Sequence, residues 1–366
     1  MRKTVLIAAG EASADRHASA VIRAVRALVP EAAFVGLGGP EMKSAGMDAV
    51  YSMEEISIMG FTEVASRIFG ILRVYRGMKR LIRELRPDLF IAVDLPDFNM
   101  RLASYAKSLG VKVLYYIAPQ AWAWRRSRAA TLARITDGLA VIFPFEEGFF
   151  KAHGVHARYV GHPMLEPGSG EVPEASQTRW PPESICMMPG SRAQEIRMIL
   201  PVMTQAKRLV SRGFPGIRWQ LRLAPGLDRA FVERFTDADV LVEAGARPAD
   251  LAIVKSGTSS LEMAVSGVPE IVCYRTSTVN YLLARLMVRI DHIGMPNIIA
   301  GRSIVPELVQ GGLTAEALAE AVTGFVTNRS LYEATREALL EIRGRLGSLR
   351  ASREVARWAV QLMEGA

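Results

Sequence analysis

Two carboxylates follow apolar runs in the first half of the chain, where each could act as a general base. Glu11 comes two residues after the run that ends at Ala9, and Asp94 directly follows a second run. A hydroxyl is a poor nucleophile until its proton is removed, which is work for a carboxylate at such a position. Asn99 adds an amide to the segment that begins at Asp94. The residues alone leave open which carboxylate is the base.

Neighbouring polar residues have a structural explanation of equal weight. Ser13 and Asp15 lie where a helical pattern begins, and such side chains commonly cap a helix. Asp97 is better placed to cap the helix that follows it than to act as a base. Glu11 caps nothing obvious, so it stays a functional candidate beside Asp94.

Two strand–turn–helix junctions in the second half have the composition of an anion site. Helix starts offer unpaired N–H groups to anions. Arg192 in the first junction could neutralise a departing diphosphate, and Glu262 after the second could accept ribose hydroxyls. Neither junction has the spacing of a Walker loop. The junction residues are Gly190, Ser191 and Arg192, and then Ser256, Gly257 and Thr258.

A loop in the first half combines two tryptophans with two arginines. It contains Trp122, Trp124, Arg125 and Arg126. Sugar rings and acyl chains pack on indole faces, and arginine binds phosphate. Trp124 and Arg125 are therefore candidate binding residues. Burial of both tryptophans between helices is the alternative.

The segment from Ile68 to Leu85 carries apolar residues at helical spacing and basic residues over much of the remainder. The apolar residues predict a helix that faces the core. Met59 and Phe61 lie in an apolar loop just upstream, and a basic face beside such a loop suits an anionic lipid surface, at about 1 kcal/mol per basic residue. A solvated charged face is the alternative. The basic residues concerned are Arg73, Arg76, Lys79 and Arg80.

Composition limits the class of protein. The chain has 366 residues, of which 50% are hydrophobic and 22% charged, which predicts a globular protein of two domains. The net charge of +8 indicates an anionic partner. Nucleic acid is disfavoured because stacking aromatics do not alternate with the basic residues. Neither the two cysteines nor the histidines have ligand spacing, so we predict no metal.

The apolar segments predict the location of the chain. The first apolar run is too short for the core of a signal peptide, and none approaches the roughly 20 residues that cross a bilayer. We therefore expect a cytoplasmic protein.

Strand-length apolar runs alternate with helical segments in both halves, which predicts an α/β protein with parallel sheets. Ligands of such folds bind at the carboxyl ends of the strands, so we expect the site in a cleft between two Rossmann-like domains. The predicted parts are an N-terminal domain at 1–165 that binds the acceptor and the membrane, a linker rich in proline and glycine at 166–183, a C-terminal domain at 184–340 that binds the nucleotide sugar, and a closing helix at 341–366.

These motifs occur together and in an order that resembles the bacterial lipid-A-disaccharide synthase family over nearly the whole chain. Each motif alone is weakly specific, whereas the ordered set is highly specific. The matching segments are Gly10–Ser13, Gly38–Met42, Met59–Val64, Asp94–Asn99, Ala118–Arg125, Phe143–Glu146, Val160–Pro163, Pro189–Arg192, Ser256–Glu262 and Pro296–Gly301.

The resemblance implies an inverting, metal-independent glycosyltransferase of the GT-B fold that needs no cofactor. Its donor would be UDP-2,3-diacylglucosamine and its acceptor 2,3-diacylglucosamine 1-phosphate. The products would be UDP and the β(1→6)-linked lipid A disaccharide 1-phosphate, a precursor of lipopolysaccharide. The resemblance places the reaction at the cytoplasmic face of the inner membrane. It makes Glu11, Asp94, Arg192 and Asn297 important for activity, assigns the Ser256–Glu262 loop to the nucleotide, and adds Ser13, Asn99 and Gln120 as further site residues.

The hypothesis for the mechanism is one in-line displacement, with Asp94 or Glu11 as the base and Arg192 stabilising UDP as it leaves. The family usually has glycine where this chain has Ala14, so the first turn could differ locally. Other UDP-GlcNAc enzymes of the same fold, such as a peptidoglycan glycosyltransferase or a 2-epimerase, are the rival expectation. A non-catalytic lipid- or nucleotide-binding protein is a second rival, and a homodimer stays open.

Overall fold

The computed structural model describes most of the chain. Met59 and Phe61, which we predict to dock on lipid, lie outside the described residues, as does most of the predicted linker. The described ranges are 3–56, 64–166, 178–224, 226–237, 240–243, 249–288 and 290–365.

The chain divides into two compact units. The first comprises Met1–Gly168 together with Ser348–Ala366, and the second comprises Ser169–Gly347. The closing segment of the chain therefore packs with the first unit, and the second unit is one continuous stretch.

The first unit is built on a parallel sheet whose described strands number seven, in the order β3-β2-β1-β4-β5-β6-β7. Its strands are β1 (Thr4–Ala8), β2 (Ala33–Gly38), β3 (Asp48–Ser52), β4 (Leu89–Val93), β5 (Lys112–Tyr116), β6 (Gly138–Val141) and β7 (Ala157–Tyr159). Its first helices are α1 (Ala12–Leu28), α2 (Pro40–Ser44), α3 (Val64–Leu85), α4 (Pro96–Ser108), α5 (Ser127–Ile135) and α6 (Pro144–Lys151).

Strand β1 shows why these sequences form a sheet covered on both faces. Val5 and Ile7 belong to one apolar cluster, and Leu6 and Ala8 belong to another. Successive side chains of a strand point to opposite faces, so a strand buried on both faces is a continuous apolar run.

The second unit repeats the design with a parallel sheet whose described strands number six, in the order β10-β9-β8-β11-β12-β13. Its strands are β8 (Ser184–Met188), β9 (Arg218–Arg222), β10 (Leu241–Glu243), β11 (Leu251–Lys255), β12 (Glu270–Tyr274) and β13 (Glu307–Val309). Its helices are α7 (Ala193–Gly213), α8 (Arg229–Glu233), α9 (Thr258–Val265), α10 (Thr278–Met287), α11 (Met295–Ala300), α12 (Ala315–Thr327) and α13 (Arg329–Arg345).

The last helix, α14 (Ala351–Glu364), packs against α1 in the first unit. Val355 and Trp358 lie in the same buried cluster as Val5 and Ile7 of β1. The hydroxyl of Ser352 donates to the carboxylate of Glu166 at 2.8 Å, which fixes the start of the helix. The end of the chain is thus part of the first core.

The prediction of an α/β protein with two parallel sheets is confirmed. In each sheet the strand order reverses beside the first strand of the unit: β1 lies between β2 and β4, and β8 lies between β9 and β11. Such a switch point opens a crevice at the carboxyl ends of the strands, where ligands of doubly wound sheets bind.

A buried carboxyl in the second sheet predicts how stability depends on pH. Glu270 begins β12, is 0% exposed, and accepts a hydrogen bond from Ser260 Oγ at 3.0 Å, while its Oε2 has no partner among the described residues. Burial raises the pKa of Glu270 well above its ordinary value. The contribution of Glu270 to the free energy of unfolding is therefore fully present below its pKa in the unfolded chain, roughly 4.3. That contribution is lost as the pH rises through the higher pKa that Glu270 has in the folded protein.

We expect Glu270→Gln, which cannot ionise, to unfold at a higher urea concentration than the wild type at pH 8 and at a similar one at pH 4. Urea titrations at the two pH values measure this difference. Glu316→Gln, on the exposed side of α12, is the matched control and should follow the wild type. Equal urea midpoints of Glu270→Gln and wild type at pH 8 would show that ionisation of Glu270 does not lower the free energy of unfolding.

Candidate active site

The carboxylates of the first half meet at the switch point of the first sheet. β1 and β4 pair in parallel, and Glu11 and Asp94 follow their carboxyl ends. Asp94 is half-buried, whereas Glu11 is exposed. Burial, and secondarily the charge of Glu11, raise the pKa of Asp94 to about 6, against a hydrogen bond from the Leu95 N–H that lowers it. Asp94 therefore combines the charge and the basicity that a general base needs near neutral pH.

The backbone at Asp94 is held in an uncommon conformation. Asp94 and Leu95 have φ of 49° and 50°, in the left-handed region that non-glycine residues rarely adopt. Tyr115 Oη donates to the carbonyl of Asp94 at 2.7 Å. The Asn99 amide donates to three carbonyls: those of Ala8 at 3.2 Å, Val93 at 3.1 Å and Asp94 at 2.9 Å.

Asn99 is 0% exposed, so these bonds define its role. It ties the end of β1 to the end of β4, and we assign it to positioning Asp94 rather than to binding an acceptor. The spacing along the sequence could not distinguish the two roles, because both place an amide near a strand end.

The capping residues differ from those we predicted. Glu11 itself occupies the N-cap position of α1, without a side-chain cap bond, and Ser13 is exposed in the first turn. Asp15 is 1% exposed and caps the neighbouring helix α2. It accepts from the N–H groups of Gly39 at 2.7 Å, Glu41 at 2.9 Å and Met42 at 3.2 Å.

Asp97 also does not cap its helix. Leu95 holds the N-cap position of α4, and Asp97 pairs instead with Arg128. Asp97 remains 80% exposed, so this pair lies at the surface beside the candidate base.

The two tryptophans after β5 have different surroundings. Trp122 is buried, and its Nε1 donates to Glu146 at 3.0 Å, so the structural alternative holds for this residue. Trp124 is half-buried, with the Arg125 guanidinium 4.4 Å from its ring centroid and that of Arg128 at 5.3 Å. Such cation–π contacts orient Arg125 over the indole. Gln120, like Arg125, is exposed.

The second unit contains a pocket of about 320 Å³ at the carboxyl ends of β8 and β11, the switch point of its sheet. Gly257 has φ of 153°, a conformation that favours glycine, and N-caps α9. The lining residues are Met188, Gly190, Ser191, Glu195, Arg222, Ala224, Lys255, Gly257, Thr258 and Ser259.

The first of the two predicted anion sites already holds a carboxylate of the chain. Glu195 Oε2 accepts from the N–H groups of Ser191 at 2.9 Å and Arg192 at 3.3 Å. Gly190, at φ of 120°, permits this contact, because a Cβ there would stand 2.3 Å from Glu195 Oε2. A phosphate would have to displace Glu195 to use these N–H groups, which corrects our expectation that they are unoccupied. Arg192 itself is exposed at the N-cap of α7.

Sequence reasoning missed two cations of this pocket. Lys255 Nζ lies 3.1 Å from Glu195 Oε1, and Arg222 pairs with Glu262. Both cations stand at the ends of strands, β11 and β9, and this position is the signal that could have identified them. Glu262 therefore faces a guanidinium, and the two side chains together offer an acceptor and a donor to the hydroxyls of a sugar.

Asn297 is buried, with its polar atoms engaged inside the second unit. Its Nδ2 donates to Val305 O at 2.9 Å and to Glu307 Oε1 at 2.7 Å. Its Oδ1 accepts from the N–H groups of Ile304 at 2.7 Å and Val305 at 3.0 Å. These bonds use the full capacity of an amide, so a ligand contact of Asn297 would have to replace one of them, and its importance for activity stays a prediction.

The same network reaches the nucleotide loop. Glu307 also accepts from the N–H groups of Ile293 at 3.0 Å and Gly294 at 2.9 Å. Ser256 Oγ donates to Ile293 O at 2.7 Å. Asn297 thus positions the Ser256 loop through Glu307 and the backbone at Ile293.

Helix α3 buries Val74, Met78 and Ile82 and exposes a mixed apolar and basic side. Phe69 is 73% exposed. Arg73, Arg76 and Arg80 are also exposed, but Lys79 Nζ lies 4.1 Å from the ring centroid of Tyr105. Lys79 therefore contributes to packing within the unit.

Among the described residues, no group of three or more His, Cys, Asp or Glu side chains is arranged to hold a metal ion. Asp237 is paired with Lys207 and Arg208 and is not part of such a group. Across the residues that the structure describes, no helix is long and apolar enough to cross a membrane.

Comparison with known proteins decides the family. The family model described as lipid-A-disaccharide synthetase matches residues 5–356. The lipid-A-disaccharide synthase of Anaeromyxobacter sp. (strain K) is 41% identical, with 98% of this chain and 97% of the relative covered. That of Myxococcus xanthus is 40% identical with the same coverage of 98% and 97%.

This chain belongs to the lipid-A-disaccharide synthase family. Its fold is also that of known glycosyltransferases. A calicheamicin glycosyltransferase superposes with a TM-score of 0.64 at 13% identity, over 100% of this chain and 99% of that one. The predicted GT-B fold class and family are confirmed, and the rival UDP-GlcNAc enzymes are not favoured.

Each unit of this lipid-A-disaccharide synthase family member has a candidate site at the switch point of its own sheet. The first unit supplies a carboxylate pair at its switch point, and the second supplies a pocket with cations at its own. The family match extends over both.

Proposed function

We propose that this enzyme condenses UDP-2,3-diacylglucosamine with 2,3-diacylglucosamine 1-phosphate to the β(1→6)-linked lipid A disaccharide 1-phosphate and UDP. The observation that carries the proposal is the family match from residue 5 to residue 356, which includes both switch-point sites. Relatives named lipid-A-disaccharide synthase cover about the same length.

In the proposed mechanism, the oxygen of the acceptor's 6-hydroxyl attacks the anomeric carbon of the donor while Asp94 removes the proton of that hydroxyl. The bond to UDP breaks in the same step, with inversion. The raised pKa of Asp94, about 6, gives it more affinity for the proton than an ordinary aspartate while it stays ionised at neutral pH. Burial is the main cause of this raised pKa, and the negative charge of Glu11 adds to it.

In this proposal the second unit stabilises the negative charge of the leaving group, UDP. Arg192 and Lys255 offset the negative charge that develops on UDP, and the N–H groups that open α9 bind its phosphates. Glu262 and Arg222 bind the ribose. These roles need no metal ion, and we propose that the reaction proceeds without one.

We further propose that the enzyme binds the cytoplasmic face of the inner membrane. Its substrates carry acyl chains, and α3 exposes Phe69 beside three arginines. An apolar and basic surface of this kind binds anionic lipid.

Purified enzyme incubated in detergent with both acylated substrates and EDTA tests the function. We expect the disaccharide 1-phosphate and UDP in equal amounts, separated by mass spectrometry. Non-acylated UDP-GlcNAc is the matched control and should give little product. Binding of UDP without formation of disaccharide would contradict the proposed reaction, and a requirement for added metal would contradict metal independence.

Lys255 offers a test of the nucleotide pocket. We expect Lys255→Met to weaken UDP binding about tenfold, roughly 1.4 kcal/mol, and to change uridine binding little, because the lost charge faces a diphosphate. Calorimetric titration with the two ligands measures the difference. Lys255→Arg keeps the charge and should recover most of the UDP affinity. An equal loss for UDP and uridine would place Lys255 in the fold of the pocket rather than at the phosphates.

A further inference from the structure

Helix α10 presents exposed aliphatic side chains on the second unit. Val279 is 67% exposed, Leu282 56% and Met287 48%. Single exposed apolar residues are ordinary on a protein surface, but these three share one helix of 10 residues. Val279 and Leu282 are three positions apart and therefore neighbours on one face. Neighbouring exposed apolar side chains form a patch, and apolar patches mark interaction sites more than scattered residues do.

The charged residue of α10 itself is basic. From Ile271 to Ile290 the sequence contains three arginines, and the residue that follows, Asp291, is acidic and exposed. Arg285, three positions after Leu282, is exposed. Arg275 is engaged elsewhere, since its Nη2 donates to Gln310 O at 3.1 Å. Arg285 therefore extends the apolar row with a positive charge.

The position of α10 relates it to the nucleotide pocket of the same unit. The helix begins four residues after Tyr274, the last residue of β12, and the Tyr274 ring centroid lies 6.0 Å from Lys255 Nζ in the pocket lining. An acylated donor whose diphosphate occupies this pocket must keep its chains in an apolar phase nearby. This step rests on the proposed function.

We propose that α10 is a second lipid-docking element, in which Val279 and Leu282 enter an anionic bilayer surface and Arg285 binds its phosphates. An apolar face with a cationic border is the pattern of a helix that lies in the membrane interface. A second copy of the chain fits less well, because a symmetric contact would place like charges from this face against each other. The surface lies on the second unit and is separate from α3 of the first.

Vesicle flotation of the full-length enzyme without substrates tests the proposal. The vesicles contain phosphatidylcholine alone or with phosphatidylglycerol. We expect the double variant Val279→Ser, Leu282→Ser to lower the partition coefficient at least fivefold on both vesicle types. Arg285→Gln should lower it only on the anionic vesicles, and this loss should disappear at high salt. Leu331→Ser, a residue of α13 with 41% exposure, is the matched control.

Vesicle binding of the double variant equal to that of wild type would overturn the proposal. A change of oligomeric state by light scattering, with unchanged vesicle binding, would also overturn it and would assign the face to a second copy. UDP binding by every variant checks that the unit is folded. Because flotation needs no turnover, a wild type that binds vesicles but makes no disaccharide would count against the proposed reaction alone.

Discussion

Asp94→Asn is expected to lower kcat by roughly 10²- to 10⁴-fold, the usual contribution of a positioned general base. The asparagine keeps the size of the side chain and loses the group that takes the proton. The backbone at this position is held by Asn99 and Tyr115 through carbonyl contacts, which the substitution leaves in place. The binding of UDP, which we propose to occupy the pocket of the second unit, should therefore stay within about twofold of wild type. Initial rates of disaccharide formation measure the effect.

Asp97→Asn is the matched control for this variant. It removes the neighbouring carboxylate, which is 80% exposed and paired with Arg128, and should reduce kcat only slightly. The account would be contradicted if Asp94→Asn retained near-normal turnover while Glu11→Gln abolished it. In that case the roles of the two carboxylates would be exchanged.

Arg192→Ala is expected to lower kcat by about 10²- to 10³-fold, the effect of removing one group that stabilises a developing negative charge. Arg192 is exposed at the start of α7, so its loss should leave the free energy of unfolding nearly unchanged. The affinity for UDP should also fall, because product and leaving group carry the same charges. Steady-state kinetics and UDP titration measure both quantities.

Arg197→Ala provides a control on the same helix. Its guanidinium lies 5.3 Å from the ring centroid of Phe231, away from the predicted pocket residues, and its removal should leave kcat unchanged. Equal losses from Arg192→Ala and Arg197→Ala would show that the charge of α7, and not a specific contact, supports the reaction.

The central part of each sheet could be predicted from the sequence because buried parallel strands are continuous apolar runs. Strand β3 lies at the edge of its sheet, and its residues are half-exposed or exposed. Its sequence, Asp-Ala-Val-Tyr-Ser, therefore contains no continuous apolar run that would predict a strand. Strand β13 has 3 residues, all half-exposed, which is below the length at which alternation is visible. The missed elements are therefore those that bury least.

The sequence could place candidate residues at strand ends, but not the direction of their side chains. Asn99 and Asn297 carry the groups that bind ligands, and both turn into the core to satisfy backbone atoms. Asp15 caps a helix 24 residues further along the chain. Arg222 and Lys255 line the pocket from the ends of β9 and β11, and neither could be given a role of its own from the sequence. Long-range pairing decides each of these roles, and local patterns do not encode it.

The pH dependence of kcat in wild type and Glu11→Gln tests the central claim that Asp94 is the base and that the charge of Glu11 adds to the effect of burial on its pKa. Burial and Glu11 raise the pKa of Asp94 to about 6, so the wild-type rate should rise with pH and level off above about 6. Removal of the Glu11 charge should move this acidic limb to lower pH, while the remaining burial keeps it above an ordinary aspartate, roughly 3.9. An acidic limb that is unmoved in Glu11→Gln, or absent from the wild type, would contradict the account.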